Sequence, residues 1–500
     1  MVGGNVWVIV PILCLGVGAF AVYLVARLVT KENGWLASLT AGLFVAALVA
    51  FVPLAVATRR AMDTGGPLPM WGGEESGSVV LRSDPGAVVI VGVALMLGVL
   101  TSTYSGRYLA LDRRNDLYYP LLLLMVTGLC GTVLAADLFN LYLFIELMSI
   151  AAYVLVAFRR HSRRAIEAGF KYLVMGSVGT LLFLVGVALI YRERGTIALP
   201  PISSAPADPT GLWTRAGLAF FLVGLGVKSA LVPLHTWLPD AHGRAPSSIS
   251  AMLSGIIIQS AFYALLKVSL GTGMSARALG GVLIAVSVAN MTLGNAVALV
   301  QTDTKRLLGY STVAQTGYMM FGIGMGLYYG IPEAIQAGFF LLVAHAAMKG
   351  LAFLSKGVHR FYLDTSTLEE LRGTASQLPL VAVTFTVALG GLAGVPPLAG
   401  FISKWFILGQ VLQPGEPLAY VGLAIFLLNT FLALGYYLPL VARLFIVPDS
   451  TAGRAKERVA ISAWMAVPLV ATAALVIAIG LYPGPWWAWV EGIGPYLLGR

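Results

Sequence analysis

Charge is what this chain has least of. Charged residues make up 11% of its 500 residues, hydrophobic ones 58%, and the mean hydropathy is +0.86. So few charges cannot cover the surface of a soluble chain of this length. Long apolar runs recur from end to end, which marks an all-α, polytopic membrane protein. Cysteine is almost missing as well. Cys14 and Cys130 both fall in apolar stretches, which excludes a disulfide framework and any CxxC site for a metal or haem. There is no glycine-rich dinucleotide fingerprint and no P-loop. The chain is therefore expected to hold no cofactor and no metal, and any redox or quinone chemistry would belong to partner subunits. The first twenty residues lack a basic stretch and a cleavage site, and read as a first spanning helix. The net charge of +10 sits in short loops and not on one soluble face, so it points to membrane topology and not to nucleic acid.

A membrane-spanning helix needs about 20 apolar residues. Fourteen stretches qualify, near 5–29, 35–56, 87–105, 119–136, 138–158, 166–191, 217–242, 246–270, 278–299, 307–329, 333–357, 378–413, 418–446 and 460–482. Loops after odd-numbered spans carry nineteen Lys and Arg residues, and those after even-numbered spans, with the C-terminus, carry eight. The bias predicts both termini outside an inner (plasma) membrane, with the longer hydrophilic loops 57–86 and 192–216 external. Five lysines lie within spans: Lys171, Lys228, Lys267, Lys349 and Lys404.

Two spans are interrupted. The seventh has Lys228 and then Pro233. The twelfth has Gly394, Pro396 and Pro397, and then Lys404. Proline removes a helix hydrogen bond and clashes with the preceding turn. Backbone groups freed in a bilayer must face protein or a watery cavity. The breaks lie five spans apart, and an odd offset reverses orientation. The expected organisation is therefore helices 1–3 over 1–118, a first five-helix repeat over 119–270, an inverted second repeat over 278–446, and a last helix with a tail over 460–500.

Ionisable groups at membrane depth cost about 2.5–3.5 kcal/mol each on insertion scales, so each needs a reason. Glu146 lies about 14 Å into span 5 at about 1.5 Å per residue, and Lys228 reaches a similar depth from the same side. The two are expected to meet as an ion pair whose proton affinities are coupled. Gln259 is mid-span 8. His345 and Lys349, four apart, share one face of span 11. With Lys404 these residues form a polar line suited to proton hopping. Asp137, His235, Asp240 and His242 lie where protons would be taken up or released, although Asp137 also suits a helix cap and His242 a plain loop network. Asp84 before Pro85 reads as the cap of span 3. Lys171 and Lys267, near span ends, are expected to snorkel, and His161 and His359 to be solvated.

These segments resemble the antiporter-like subunit family, which includes the D-type component of Mrp Na⁺/H⁺ antiporters, its membrane-bound hydrogenase counterparts and the proton-pumping subunits of complex I. The matching stretches are DLFNLYLFIELMSIAAYVLVAF (137–158), EAGFKYLVMGSVGTLLFLVG (167–186), KSALVPLHTWLPDAHGRAPSSISAMLSG (228–255), DTKRLLGYSTVAQTGYM (303–319), HAAMKGLAFLSKG (345–357) and GVPPLAGFISKW (394–405). The wording of FNLYLFIELMSI is nearer the Mrp and hydrogenase branch. The resemblance implies fourteen helices, two inverted repeats, partner membrane subunits, and protons as cargo, and leaves open whether Na⁺ is moved by this subunit, by a partner or not at all. It makes Glu146 and Lys228 the charged pair, His345 and Lys349 part of the axis, and Lys404 the lysine of the broken twelfth span. One position departs: the family often has lysine in span 8, where this chain has Gln259. An amide can bridge a water wire but cannot carry the proton. Lys267, two turns further and near the outer surface by the span prediction, is a poor substitute. The expected function is that of a proton-translocating, Mrp D-like subunit of a multisubunit Na⁺/H⁺ antiporter; the alternatives are a complex I-type or hydrogenase pump subunit, a silent scaffold, or a solute transporter.

Overall fold

The computed structural model describes residues 5–29, 32–72, 79–110, 112, 114–205, 211–446 and 457–500. Lys31, Arg113, Arg454 and Lys456, four of the basic loop residues counted above, lie outside them.

Among the described residues, eleven helices are long and apolar enough to cross a membrane, or twelve if one bent pair counts as a span. The chain runs through α1 (Val10–Leu28), α2 (Asn33–Thr64), α3 (Pro85–Tyr108), α4 (Asn115–Leu134), α5 (Leu138–Val156) and α6 (Arg163–Arg194). It then breaks between α7 (Leu212–Lys228) and α8 (Trp237–Arg244). Next come α9 (Ser247–Met252) and α10 (Ile258–Gly271), continuous through one widened turn at Leu253–Ile257. α11 (Ala276–Leu299), α12 (Thr304–Tyr329) and α13 (Pro332–Leu363) follow. A second break separates α14 (Pro379–Ala393) from α15 (Ala399–Val411). The chain finishes with α16 (Pro417–Phe445), α17 (Ala463–Leu481) and two short helices, α18 (Pro483–Trp489) and α19 (Ile493–Leu497).

Side chains expected to start helices do so. Asp84 Oδ1 accepts from Ala87 N at 2.8 Å, and Asp137 Oδ1 from Asn140 N at 2.8 Å. Asp303 caps α12 in the same way. These caps satisfy backbone donors that no preceding turn can serve.

The expected 57–86 loop is shorter than predicted because α2 continues through Arg59 and Arg60 to Thr64. The remainder forms a small ribbon in which β1 (Met70–Trp71) pairs antiparallel with β2 (Leu81–Arg82). The described N-terminus joins this ribbon, with Asn5 N donating to Met70 O at 2.8 Å. At the other end of the chain, α19 packs on α3, α10 and α13. Both described ends thus lie on one face of the bundle, called here the ribbon face. The expected plain C-terminal tail is instead the two short helices.

Burial sorts the helices into an inner and an outer set. The most apolar windows of α9–α10 (Ser247–Gly271) and of α13 are wholly buried, whereas those of α2 and α16 are each 28% buried. Gln259, His345 and Lys349 are on the inner set. The outer set presents apolar faces to its surroundings, as spanning helices must. Close packing brings α5 into place: a Cβ on Gly128 of α4 would stand 2.4 Å from the backbone nitrogen of Met148.

Candidate functional site: a buried polar line across two broken helices

The first break starts earlier than Pro233. α7 ends at Lys228, and Ala230 already has φ +53°. Proline disfavours helix in the residue before it and blocks a hydrogen bond one turn back, so the helix gives way upstream. The freed groups find specific partners. Trp237 Nε1 donates to Val227 O at 2.9 Å, and Val232 N donates to the side chain of Asn290 at 2.8 Å.

Lys228 is thereby the last residue of a half-helix, where the partial negative charge of the helix end favours a cation. Its Nζ donates to Ser149 Oγ at 2.8 Å and to Tyr153 Oη at 2.7 Å. Both hydroxyls lie on α5, at three and seven residues beyond Glu146 and so on the same face of that helix. The expected Glu146–Lys228 ion pair does not form. Among the described residues no carboxylate lies within 4.0 Å of Lys228, and Glu146 Oε1 is buried without a hydrogen bond. The two hydroxyls meet the ammonium's donors without a second desolvated charge. They separate the lysine from the carboxylate along the face of α5.

Gln259 and His345 do meet. Gln259 Nε2 and His345 Nδ1 are 3.3 Å apart, and both side chains are fully buried. Gln259 Oε1 and His345 Nε2 make no further hydrogen bond to the described residues. Lys349, four residues on, turns to α12: its Nζ donates to Leu308 O at 2.7 Å and to Ser311 Oγ. Lys404 sits at the second break. It lies on α15 but donates across the break to Leu392 O of α14 at 3.4 Å, and that carbonyl also accepts from Gln315 Nε2 at 2.9 Å. Its ammonium sits 4.6 Å from the centre of the Tyr318 ring. Gly394 ends α14 with φ +89°, a backbone shape that other residues rarely adopt.

The four peripheral candidates separate. Asp137 is the cap of α5 and also holds Asn140 Nδ2. His235 is buried inside the first break, its ring edge-on to Tyr310. Asp240 pairs with Lys171 at 3.2 Å and with Arg306. His242 takes no part in that network. It is fully buried, its ring 4.8 Å from Phe353, with neither imidazole nitrogen hydrogen-bonded to the described residues.

Three bland expectations need correcting. Lys171 is half-exposed, yet it is held in a pair with Asp240 and Glu167. Lys267 does not snorkel: it is 1% exposed and ion-paired to Asp84 at 3.1 Å. His359 is not solvated but fully buried, bonded to Ser355 O and Thr374 Oγ1. Ser149 and Tyr153 were legible as the i+3 and i+7 neighbours of Glu146. Asn290, Ser311, Gln315 and Trp237 carried no such signal, since they serve positions across the fold.

A bundle whose most enclosed helices carry lysine, histidine and amide groups, bridged by two half-helix pairs, defines a membrane protein that handles small cations. The family model for the transmembrane region of NADH:quinone oxidoreductase and Mrp antiporter subunits matches residues 135–433, and the chain belongs to that family. It is 29% identical to NADH-quinone oxidoreductase subunit N of Desulforudis audaxviator over 94% of this chain and 95% of that one. It is 32% identical to F(420)H(2) dehydrogenase subunit N of Methanosarcina mazei over 79% of this chain and 80% of that one. Among solved structures, the Mrp complex from Dietzia superposes with a TM-score of 0.85 over 99% of this chain and 98% of that one, at 22% identity, a likeness of fold alone.

Proposed function

We propose that the chain is a proton-translocating membrane subunit of a multisubunit, complex I-like respiratory assembly in the plasma membrane. One observation carries this reading: Glu146, Lys228, Gln259, His345, Lys349 and Lys404 form a polar series on or against the most enclosed helices. Groups as costly to bury as these are retained in membranes for moving charge. Protons hop along the series, and the hydroxyls of Ser149, Tyr153 and Ser311 carry them between the ionisable groups. Glu146 and Lys228 act as a charge-coupled pair through Ser149 and Tyr153 and not by direct contact. The fourteen crossings, the inverted repeats over 119–270 and 278–446, and both termini outside belong to the same proposal, supported by the two matched breaks. Partner membrane subunits supply the energy, as the named relatives are themselves subunits of larger oxidoreductases.

A second reading is the role of the D-type component in an Mrp Na⁺/H⁺ antiporter. The FNLYLFIELMSI wording at 139–150 favours it. The subunit N relatives favour the first.

The test is proton movement by the assembled complex in liposomes loaded with a pH-sensitive dye, driven by a potassium diffusion potential. Glu146→Ala and Lys228→Ala are each expected to cut the rate by about a hundredfold or more while the chain remains inserted. Near-normal rates in both would sink the relay and leave a silent scaffold. Acidification of membrane vesicles driven by an electron donor selects the first reading, and by a sodium gradient the second.

A further inference from the structure

Among the described residues, a buried ionic cluster on α10 takes no part in the polar line. At the ribbon-face end of α10, Lys267 Nζ is 3.1 Å from Asp84 Oδ2 and donates to Val133 O at 2.9 Å. Tyr263 Oη donates to Asp84 Oδ1. Arg82 of β2 and Tyr496 of α19 complete the charged and titratable groups that act on this site. None of the five is more than 6% exposed.

Three features show more than a tether. The first is the charge count: two basic side chains share one carboxylate. With Lys267 protonated the cluster holds one surplus positive charge in a place closed to solvent, and with Lys267 neutral it holds none. Arginine keeps its proton under all ordinary conditions, whereas a buried lysine exchanges. Lys267 is therefore the member whose proton can come and go without separating charge. The second is Arg82, whose Nε and Nη2 are buried with no hydrogen bond to the described residues. A cation recruited only to brace the fold would be neutralised. The third is the seat of Tyr263. A Cβ on Gly86 would stand 2.6 Å from Tyr263 Oη, so the first turn of α3 is shaped to admit the phenol against Asp84. Tyr263 and Lys267 follow Gln259 by one and two turns of α10. Lys267 is about 12 Å from the level of Gln259 at about 1.5 Å per residue.

We propose that Arg82, Asp84, Tyr263 and Lys267 form a proton-exchange station between the Gln259–His345 contact and the ribbon face. Protons reach that face through the Lys267 ammonium, with Asp84 holding the ammonium and Tyr263 bridging back along α10. Gln259 cannot carry the charge itself, and Lys267 supplies the missing protonatable group further along the same helix. The proposal rests on the proton-translocation reading above.

The test uses the whole assembled complex in liposomes, with a pH-sensitive dye inside and a potassium diffusion potential as the drive. Lys267→Arg keeps the charge and the pair but cannot exchange the proton, and its rate should fall about tenfold at unchanged membrane content. Lys267→His should recover a good part of that loss, with its rate optimum moved to lower pH, while Lys267→Met should not. Wild-type rate in Lys267→Arg overturns the station and leaves a structural pair. If Lys267→Arg fails to accumulate, Lys267→His and Lys267→Met decide at matched content: equal rates and equal pH profiles overturn it. A wild-type complex that moves no protons removes the translocation reading itself, a different result from a working complex indifferent to Lys267→Arg.

Discussion

The two broken helices solve one problem in opposite ways. Each leaves carbonyl groups without the donor that a continued helix would supply, in a place without bulk water. At the first break the task falls to a neutral donor: Trp237 covers Val227 O, and Lys228 is left to face the hydroxyls of α5. At the second break the lysine covers the backbone itself, reaching from α15 to Leu392 O beside Gln315. One lysine is released from structural duty and the other is bound to it. A lysine free of the backbone can change its proton state without disturbing the helix that carries it, whereas loss of the Lys404 ammonium leaves Leu392 O with Gln315 as its remaining side-chain donor.

The largest expected effect separates the lysines by readout. Lys228→Ala should abolish proton movement with little loss of thermal stability. Lys404→Ala should lower both, the midpoint of unfolding by about 1–2 °C if about 1–2 kcal/mol goes with the bridging hydrogen bond. Equal thermal shifts in the two variants, read by a thermofluor assay in detergent, would break the contrast.

Next in size is the hydroxyl pair. Ser149→Ala with Tyr153→Phe removes both partners of Lys228 and should slow proton movement about tenfold, more than either change alone. Wild-type rates in the double variant would mean that Glu146 is served by another route.

Gln259→Lys should keep or raise the rate. It places a protonatable group at the position that contacts His345. Loss of the chain from the membrane would show that α10 tolerates no cation there. The smallest effect is Trp237→Phe, which removes one hydrogen bond and keeps the packing against Tyr172. It should lower the midpoint by about 1 °C, on the order of 1 kcal/mol, and leave transport almost unchanged. A transport loss without a thermal change would give Trp237 a part in the relay.

Much of this was legible in the chain. Runs of apolar residues placed most helices, because a spanning segment has a fixed minimum length, but missed the C-terminal ends of α2 and α13 by eight and six residues, where polar turns continue the helix. The prolines announced both breaks, and the rarity of charge at depth singled out Glu146, Lys228, His345, Lys349 and Lys404. Partners were harder to see. Depth arguments brought Glu146 and Lys228 to the same level but could not say which atoms touch, and the hydroxyls of Ser149 and Tyr153 took the ammonium first. The same arithmetic put Lys267 near a surface and assumed water there, yet α3, α19 and the ribbon close over it. His359 was misjudged for the same reason: position along a helix gives height and says nothing of what folds across the end.

The complete enclosure of α13 bears on how the protein is made. The most apolar window of α13, which includes both His345 and Lys349, has no surface turned to lipid. During synthesis such a helix cannot rest in the bilayer alone with its histidine and lysine exposed to hydrocarbon. It must be received into a pocket walled by earlier helices, α3, α9 and α12 among them, and sealed by α14, α15 and α17 as they follow. The order of the chain is thus an assembly schedule, in which the helix richest in buried charge is neither the first nor the last to enter.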